Sequence, residues 1–305
     1  MTKISRREVI HMVGVAAIAP ALSKAFTPSA SNTYPGSLAA AATNTTQGGR
    51  VVASGRLKQS ASRWCYQSIP LPDFCRALAE MGLTGVDLLE QKDWETVRQF
   101  GLVCTMGYGG GGSIPDAMND KSHHETIRKN FEESIPYAAK MGVPNVITFF
   151  GNRRGRPDPE AIENCVTGLN AVKKIAEDHG VTICVELLNS KVDHKDYQGD
   201  HTAFGVEVIK AVGSPNVKLL YDIYHMQIME GDIIDTIRKN HQYIGHYHTG
   251  GVPGRHELDD TQELNWRAIA SAIAATGFKG YFAHEFVPTR DPLSSLRQAV
   301  ALCDV

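Results

Sequence analysis

Apolar residues follow two alternating patterns along the chain from residue 61 onward. Short runs rich in β-branched and aromatic residues alternate with longer stretches in which apolar residues recur every three or four positions, such as Ile162, Cys165 and Leu169. The first pattern is typical of buried strands and the second of amphipathic helices. We predict eight strands, at residues 63–67, 85–89, 103–106, 145–150, 182–188, 217–221, 244–247 and 280–286. Helices are predicted between them, among others at 71–81, 124–141, 159–179, 205–212, 233–239 and 266–276.

This alternation predicts an α/β fold of the (β/α)8 TIM barrel type in a single domain. Eight successive units favour a closed parallel barrel, and glycines such as Gly142 and Gly180 follow predicted helices, where a left-handed residue is common. An open doubly wound sheet is the alternative, but no G-x-G-x-x-G sequence follows the first strand. Four glycines at 109–112 follow the third strand without the lysine of a phosphate-binding loop. We interpret them as a flexible loop over the barrel mouth.

The first 25 residues predict a targeting signal rather than a part of the folded domain. Arg6 and Arg7 precede an apolar stretch at 12–22, and the next three residues, Ser-Lys-Ala, offer a small-x-small cleavage site. This layout is typical of a twin-arginine export signal. We therefore expect a signal peptide at 1–25 and export to the periplasm, with an ordinary basic N-terminus as the alternative.

A second segment of distinct composition follows. Residues 26–55 are rich in Ala, Ser, Thr, Asn and Gly and lack apolar periodicity. Such a composition predicts a low-complexity, disordered linker. The predicted barrel then occupies residues 56–305.

Composition and charge limit the classes of partner. The 305 residues include 31 Lys and Arg against 33 Asp and Glu, a formal net charge of -2, which argues against a nucleic-acid-binding surface. No apolar run approaches the ~20 residues that span a bilayer. The six cysteines include no C-x-x-C pair, which argues against a disulfide framework. We therefore expect a small-molecule substrate.

Ionisable residues lie at the ends of four consecutive predicted strands. Glu186, Asp222, His248 and Glu285 end the fifth to eighth strands in that order. A TIM barrel places its active site at this end of the strands, and buried carboxylates are costly unless a cation neutralises them. Three carboxylates and one imidazole form an oxygen-rich set that suits Mn²⁺, Mg²⁺ or Co²⁺. The sequence therefore predicts a divalent metal site, although Glu285 taken singly is equally compatible with a salt bridge.

Three further polar residues lie on or directly after predicted strands without a clear place in the set. His246 and His284 are more typical of core histidines with satisfied hydrogen bonds than of ligands. Glu90, after the second strand, either joins the site or pairs with a basic side chain.

Two short sequences in the predicted barrel match a known family. Residues 221–227 read Tyr-Asp-Ile-Tyr-His-Met-Gln, and residues 253–256 read Pro-Gly-Arg-His. Both resemble stretches typical of hydroxypyruvate isomerases, within the wider xylose-isomerase-like group of TIM barrels that includes the ketose 3-epimerases. The resemblance spans roughly residues 61–300.

The resemblance implies roles for six residues. Glu186, Asp222, His248 and Glu285 would hold the divalent metal, and Glu186 and Glu285 would also transfer protons. His225 and Arg255 would bind the substrate. Ketose 3-epimerases carry a second glutamate six residues after the first metal ligand, where this chain has Val192, whereas the sequence H-Y-H-T-G at 246–250 is closer to the epimerases.

The function expected from these features is a metal-dependent isomerase of the aldose–ketose type. It would convert hydroxypyruvate to tartronate semialdehyde through an enediolate, with the metal as Lewis acid and the glutamates as acid and base. A ketose 3-epimerase or another exported sugar isomerase is the first alternative, and a non-catalytic exported sugar-binding protein is a more remote one. The near-neutral charge argues against an apurinic-site endonuclease. A homo-oligomer is open by analogy with other barrels.

Overall fold

Eight parallel strands form a closed barrel, as the sequence predicts. A computed structural model describes residues 49–305 of the chain. Each strand pairs in parallel with the next one along the chain, and the first pairs with the last. The strands are β1 Lys58–Ser62, β2 Gly85–Leu89, β3 Val103–Gly111, β4 Asn145–Phe149, β5 Thr182–Leu187, β6 Val217–Asp222, β7 Ile244–Thr249 and β8 Tyr281–His284.

Helices follow the strands and cover the outside of the barrel. They are α1 Leu71–Met81, α2 Trp94–Arg98, α3 Lys121–Met141, α4 Asp158–His179, α5 Thr202–Val212, α6 Ile223–Met229, α7 Ile233–Asn240, α8 Trp266–Ala275 and α9 Pro292–Cys303. As predicted, α3 and α4 end at glycines in the left-handed conformation, Gly142 with φ 72° and Gly180 with φ 66°. Within residues 49–305, the helices are all too short or too polar to cross a membrane.

The first strand lies earlier than predicted. The prediction of a strand at 63–67 is wrong, because residues 63–66 form a short 3-10 helix and β1 ends at Ser62. Gln59, Ser60 and Ser62 are polar, yet each is at most 1% exposed. Gln59 Oε1 lies 2.8 Å from Nε2 of His284 in the neighbouring strand β8. A strand whose buried positions carry polar residues lacks the apolar run on which the prediction depended.

Three glycines of the run, 109–111, belong to β3 rather than to a loop, so for them that prediction is also wrong. The strand continues to Gly111, with a register shift against β4 between Tyr108 and Gly111. A Cβ atom on Gly111 would lie 2.3 Å from the carbonyl oxygen of Ile147, and one on Gly110 would lie 2.6 Å from Cβ of Asn130 in α3. Glycine is therefore required because β4 and α3 approach this strand too closely for any side chain.

The N-terminal predictions fall largely outside the described residues. The signal peptide at 1–25 lies wholly outside them, as does the linker as far as residue 48. The remaining linker residues, 49–55, are described, and they lie against the barrel. The carboxylate of Asp304 accepts hydrogen bonds from the backbone N–H groups of Ala53, Ser54 and Gly55 at 2.6, 2.7 and 2.8 Å.

Polar side chains occupy part of the barrel interior. Asp87, Thr105, His246, His248 and His284 project from strands and have no exposed surface. Most of the remaining interior and the space under the helices is apolar, with Trp94, Trp266 and Phe131 among the largest fully buried side chains. Buried polar groups are stable only with partners. The polar side chains inside the barrel therefore indicate where a functional site can form.

Candidate active site

The four strand-end residues of the predicted metal set lie together. Glu186 is in β5, Asp222 ends β6, His248 is in β7, and Glu285 directly follows β8. Each contributes one ligand atom, and these atoms all lie within 4.8 Å of one another. All four side chains are buried, with Glu186 the most exposed at 6%. We refer to these four residues as the carboxylate cluster.

His248 connects the cluster to a second buried group. Its Nδ1 atom lies 2.6 Å from Glu285 Oε2 and 3.4 Å from Glu186 Oε1, but neither contact has hydrogen-bond geometry, so this buried nitrogen has no partner among the described residues. Its Nε2 atom lies 2.8 Å from Asp87 Oδ2. Burial alone would lower the pKa of His248, but Glu285, Asp87 and Glu186 outweigh it and raise that pKa well above its usual value.

Asp87 is a site residue that the sequence analysis missed. It is fully buried in β2, accepts a hydrogen bond of 2.5 Å from Thr105, and lies 3.2 Å from Nε2 of His246 as well as beside His248. Burial would raise its pKa, but the two imidazoles outweigh this and lower the pKa of Asp87 to about 2. The available signal was an aspartate in the middle of an otherwise apolar strand, because a buried carboxylate needs a partner.

Arg255 supplies positive charge to the cluster. It lies after β7 in a left-handed backbone conformation, with φ 58°. Its Nη2 group donates to Asp222 Oδ2 at 2.6 Å and to Glu285 Oε2, and its Nε donates to the Glu285 carbonyl at 3.0 Å. The guanidinium also lies over the ring of Tyr224, 4.8 Å from its centroid. Burial alone would lower the pKa of Arg255, but the negative charges of Asp222 and Glu285 outweigh burial and raise that pKa above its usual value. This side chain therefore stays charged.

His225 lies beside this arginine at the start of α6. Its backbone N–H donates to Asp222 Oδ1 at 3.1 Å, which makes Asp222 the N-cap of the helix. Arg255 Nη1 lies 2.8 Å from His225 Nε2, and an arginine can only donate. Burial, followed by the charge of Arg255, lowers the pKa of His225 well below its usual value. His225 is therefore a neutral imidazole whose Nε2 atom accepts a hydrogen bond.

The two glutamates of the cluster have opposite pKa shifts. Burial raises the pKa of Glu186 to about 7. Burial acts in the same direction on Glu285, but Arg255, His248 and a hydrogen bond of 2.5 Å from Trp64 Nε1 outweigh it and lower that pKa below its usual value. Pairs of titratable groups with separated pKa values are typical of general acids and bases. Near neutral pH, one carboxyl group can therefore carry a proton while the other is ionised.

A cavity of about 400 Å³ opens directly onto the cluster. Glu186, His225, Arg255 and Glu285 contribute to its wall, so the predicted substrate-binding residues and the two glutamates face the same space. Aromatic side chains complete the wall, among them Trp64, which is 38% exposed. A small polar molecule can therefore contact all of these groups at once.

The remaining predicted polar residues lie outside the carboxylate cluster. His284 is fully buried and bonded to Gln59, and burial lowers its pKa to about 3, so it is a neutral core histidine as expected. His246 is also fully buried and lies beside Asp87, but neither ring nitrogen has a hydrogen-bond partner among the described residues, so the expectation of satisfied hydrogen bonds is wrong for it. Glu90 is outside the carboxylate cluster and lines a neighbouring cavity of about 750 Å³.

Comparison with known proteins gives consistent matches. The profile of a family described as Xylose isomerase-like TIM barrel matches residues 75–303. A putative hydroxypyruvate isomerase of Homo sapiens is 27% identical over 176 residues, which are 56% of this chain and 63% of that protein, less than two thirds of its length. A 2-oxo-tetronate isomerase of Pectobacterium atrosepticum is 24% identical over 240 residues, 73% of this chain and 88% of that protein. Other relatives are named D-psicose 3-epimerase.

Solved structures show the same fold. The crystal structure of a protein titled AP endonuclease, family 2, from Brucella melitensis superposes with a TM-score of 0.71. It covers 79% of this chain and 96% of that one at 24% identity. At this identity the likeness extends to the fold alone.

Proposed function

The chain belongs to the xylose isomerase-like TIM barrel family, and from that premise we propose that it is a metal-dependent isomerase that acts through an enediolate. The observation that carries this proposal is the meeting of three buried carboxylates and one imidazole beneath a cavity at the carboxyl ends of the strands. Hydroxypyruvate, converted to tartronate semialdehyde, is the leading substrate. The relatives named as isomerases of small keto acids support it.

The donor set fits a divalent metal. Three buried carboxylates within one small volume repel each other, and the buried Nδ1 atom of His248 has no hydrogen-bond partner among the described residues. Glu186, Asp222, His248 and Glu285 would hold the ion, and their oxygen-rich character suits Mn²⁺, Mg²⁺ or Co²⁺. When bound, such an ion supplies Lewis acidity that stabilises negative charge on the substrate oxygens.

The glutamates would move the proton. Glu285, whose pKa is lowered, removes a proton from the hydroxymethyl carbon of hydroxypyruvate. Glu186, which faces the same cavity, returns a proton to the former carbonyl carbon, and a proton shift between the two substrate oxygens completes tartronate semialdehyde. General acid–base catalysis of this kind contributes about 10²- to 10⁴-fold.

Arg255 and His225 would position the substrate. Four of the five N–H groups of Arg255 already have partners, on Asp222, Glu285 and His225, which leaves one N–H of Nη1 for a ligand. A bidentate grip on the substrate carboxylate therefore requires Arg255 to release Asp222 or Glu285. The neutral ring of His225 can orient a substrate hydroxyl.

A ketose 3-epimerase is the second candidate. The relatives named D-psicose 3-epimerase favour it, and the same two glutamates could exchange the proton on one carbon. Position 192, where such epimerases carry a second glutamate, is a valine that is 61% exposed. We rank the epimerase below the isomerase because this contact is missing.

Solvent proton exchange tests the function. The full-length protein, loaded with Mn²⁺, is incubated in D₂O with hydroxypyruvate or a ketose, and NMR follows the carbon-bound protons. We expect metal-dependent deuterium uptake that is lost in Glu186→Gln and Glu285→Gln but retained in the control Glu163→Gln, which changes an exposed glutamate of α4 that lines neither cavity. Uptake with ketoses alone would favour the epimerase. Bound metal without exchange in any compound would refute the isomerase and favour a sugar-binding protein.

Export remains part of the proposal. We propose that residues 1–25 direct twin-arginine export, because Arg6 and Arg7 precede an apolar stretch and a small-x-small site. A folded reporter fused after residue 48 should reach the periplasm. The control is the same fusion with Arg6 and Arg7 both changed to lysine. Equal retention of the two reporters in the cytoplasm would contradict the proposal.

A further inference from the structure

The active-site cavity adjoins a second, larger one. The cavity of about 400 Å³ over the cluster and a neighbouring cavity of about 750 Å³ share three wall residues, Tyr108, Ile147 and Phe149. These three residues therefore line both the space beside the glutamates and the outer space. We call the larger space the outer cavity.

The outer cavity exists because two adjacent strands have unequal lengths. Strand β2 ends at Leu89, which pairs with Gly107, whereas β3 continues to Gly111 and pairs there with β4. The segment Glu90–Lys92 and the extended part of β3 enclose the space between them. Side chains at Gly110 or Gly111 would collide with α3 or β4 and push the strand out of place. The glycines thus allow the extended part of β3 to pack closely against α3 and β4.

The combined space is much larger than a three-carbon acid needs. Hydroxypyruvate has about seven non-hydrogen atoms, while 400 Å³ corresponds to about 13 water molecules at roughly 30 Å³ each. The outer cavity adds room for about 25 more by the same measure. A small keto acid would leave it unused.

The wall chemistry is that of a site for hydroxyl groups. Glu90, Gln91, Lys92, Asn130 and Glu133 bring both donors and acceptors to the outer cavity. Asn130 donates to the Gly110 carbonyl at 3.0 Å, which fixes its amide and leaves its carbonyl oxygen as an acceptor. The shared aromatic residues offer apolar faces of the kind on which a sugar ring packs.

The charged side chains that line the outer cavity argue against a substrate whose second part is anionic. Two carboxylates and one ammonium line the outer cavity, and no arginine is among its lining residues. Phosphate groups are typically bound by arginine or by several cationic groups. The occupant should therefore be neutral and rich in hydroxyls.

We propose that the preferred substrate is a glycosylated ketose, whose α-hydroxy carbonyl end lies at the carboxylate cluster and whose second sugar residue lies in the outer cavity. This inference rests on the proposed enediolate chemistry and replaces the three-carbon acid with a longer molecule. The same proton transfer applies, since only the distal end of the substrate differs.

Isomaltulose, which is fructose carrying a glucosyl group on its far end, tests the inference against fructose. With the full-length, Mn²⁺-loaded protein in D₂O, we expect kcat/KM for proton exchange to be at least about tenfold higher for isomaltulose, because one or two added hydrogen bonds suffice for that ratio. Glu133→Ala should lower the ratio of the two kcat/KM values several-fold. The matched control Glu132→Ala changes the adjacent residue, which does not line the outer cavity, and should leave the ratio unchanged.

The outcomes separate this inference from the proposed function. Exchange with fructose or hydroxypyruvate but no preference for isomaltulose would overturn the outer-cavity site and leave the isomerase intact. Absence of exchange with every compound would refute the isomerase, and calorimetric titration with isomaltulose would then test the cavity alone. Binding that Glu133→Ala weakens and Glu132→Ala does not would support the site. No binding to the wild-type protein would overturn it.

Discussion

Replacing Asp87 by asparagine should weaken metal binding without removing a metal ligand. Asp87 Oδ2 lies 2.8 Å from His248 Nε2, so the neutral, metal-binding form of His248 would carry its proton on Nε2 and direct Nδ1 towards the carboxylate cluster. Asparagine keeps the shape, and its amide can still turn an oxygen to His248 and its NH₂ group to Thr105. The charge of the acceptor is lost, and hydrogen bonds to charged groups are worth ~1.5–3 kcal/mol against ~0.5–1.5 for neutral ones. The difference of about 1–1.5 kcal/mol corresponds to a roughly five- to twelvefold weaker affinity, at the low end of the effect typical of residues behind a metal ligand.

Isothermal titration of the metal-free protein with Mn²⁺ measures this effect directly. Thr105→Val is the matched control, because it removes the 2.5 Å hydrogen bond to Asp87 Oδ1 and leaves the oxygen that faces His248. We expect it to change the dissociation constant less than threefold or so. Circular dichroism establishes that both variants are folded. Equal Mn²⁺ affinity in a folded Asp87→Asn protein and the wild type would refute the positioning of His248 by Asp87.

Two further predictions concern stability. Gly199→Ala should lower the free energy of unfolding by ~1–3 kcal/mol in urea titration, because its Cβ would lie 2.0 Å from the Phe150 ring; an unchanged midpoint would contradict this. Glu257→Gln should lower the melting temperature at pH 7, because the 4% exposed Glu257 accepts hydrogen bonds from Thr289 and Ser295. Burial would raise the pKa of Glu257, but hydrogen bonds from the backbone N–H groups of Glu257 and Thr289, together with those from the two hydroxyls, lower it from 4.5 to about 2. The stabilisation is therefore complete above pH 4.5, and the difference in melting temperature should shrink as the pH falls towards 2. A difference that stays constant over this range would refute the assignment.

The barrel and the four ionisable strand ends could be predicted because both leave a local mark in the sequence. Parallel strands covered by helices are apolar on both faces and appear as continuous apolar runs, and an ionisable residue at the end of such a run stands out. The bounds of β5 and β6 accordingly differ from the predicted ones by one residue. The carboxyl ends of parallel strands meet at one edge, so the approach of Glu186 to Asp222 follows from the fold.

The features that sequence analysis missed depend on partners far away in the chain. Asp87 is stable in its strand because His248, 161 residues later, supplies the opposite charge. Strand β1 carries buried polar residues because Gln59 meets His284, 225 residues later. Gly109, Gly110 and Gly111 are required in β3 because α3 and β4 approach the strand closely, not because the chain must be flexible there. Each of these depends on tertiary packing, which a local pattern does not encode.

Closure of the barrel has a consequence for how the chain folds. Strand β1 pairs with β8, and the hydrogen bond from Trp64 to Glu285 joins residues 221 positions apart. Contacts of such separation form late and slowly, because the entropy of closing a long loop must be overcome first. A cation that binds the carboxylate cluster would bind only chains in which the last four strands are assembled. By mass action it would stabilise the closed barrel by about 2.7 kcal/mol at a concentration 100 times its dissociation constant. The metal concentration in the compartment where the chain folds would then influence the yield of native protein as well as its activity.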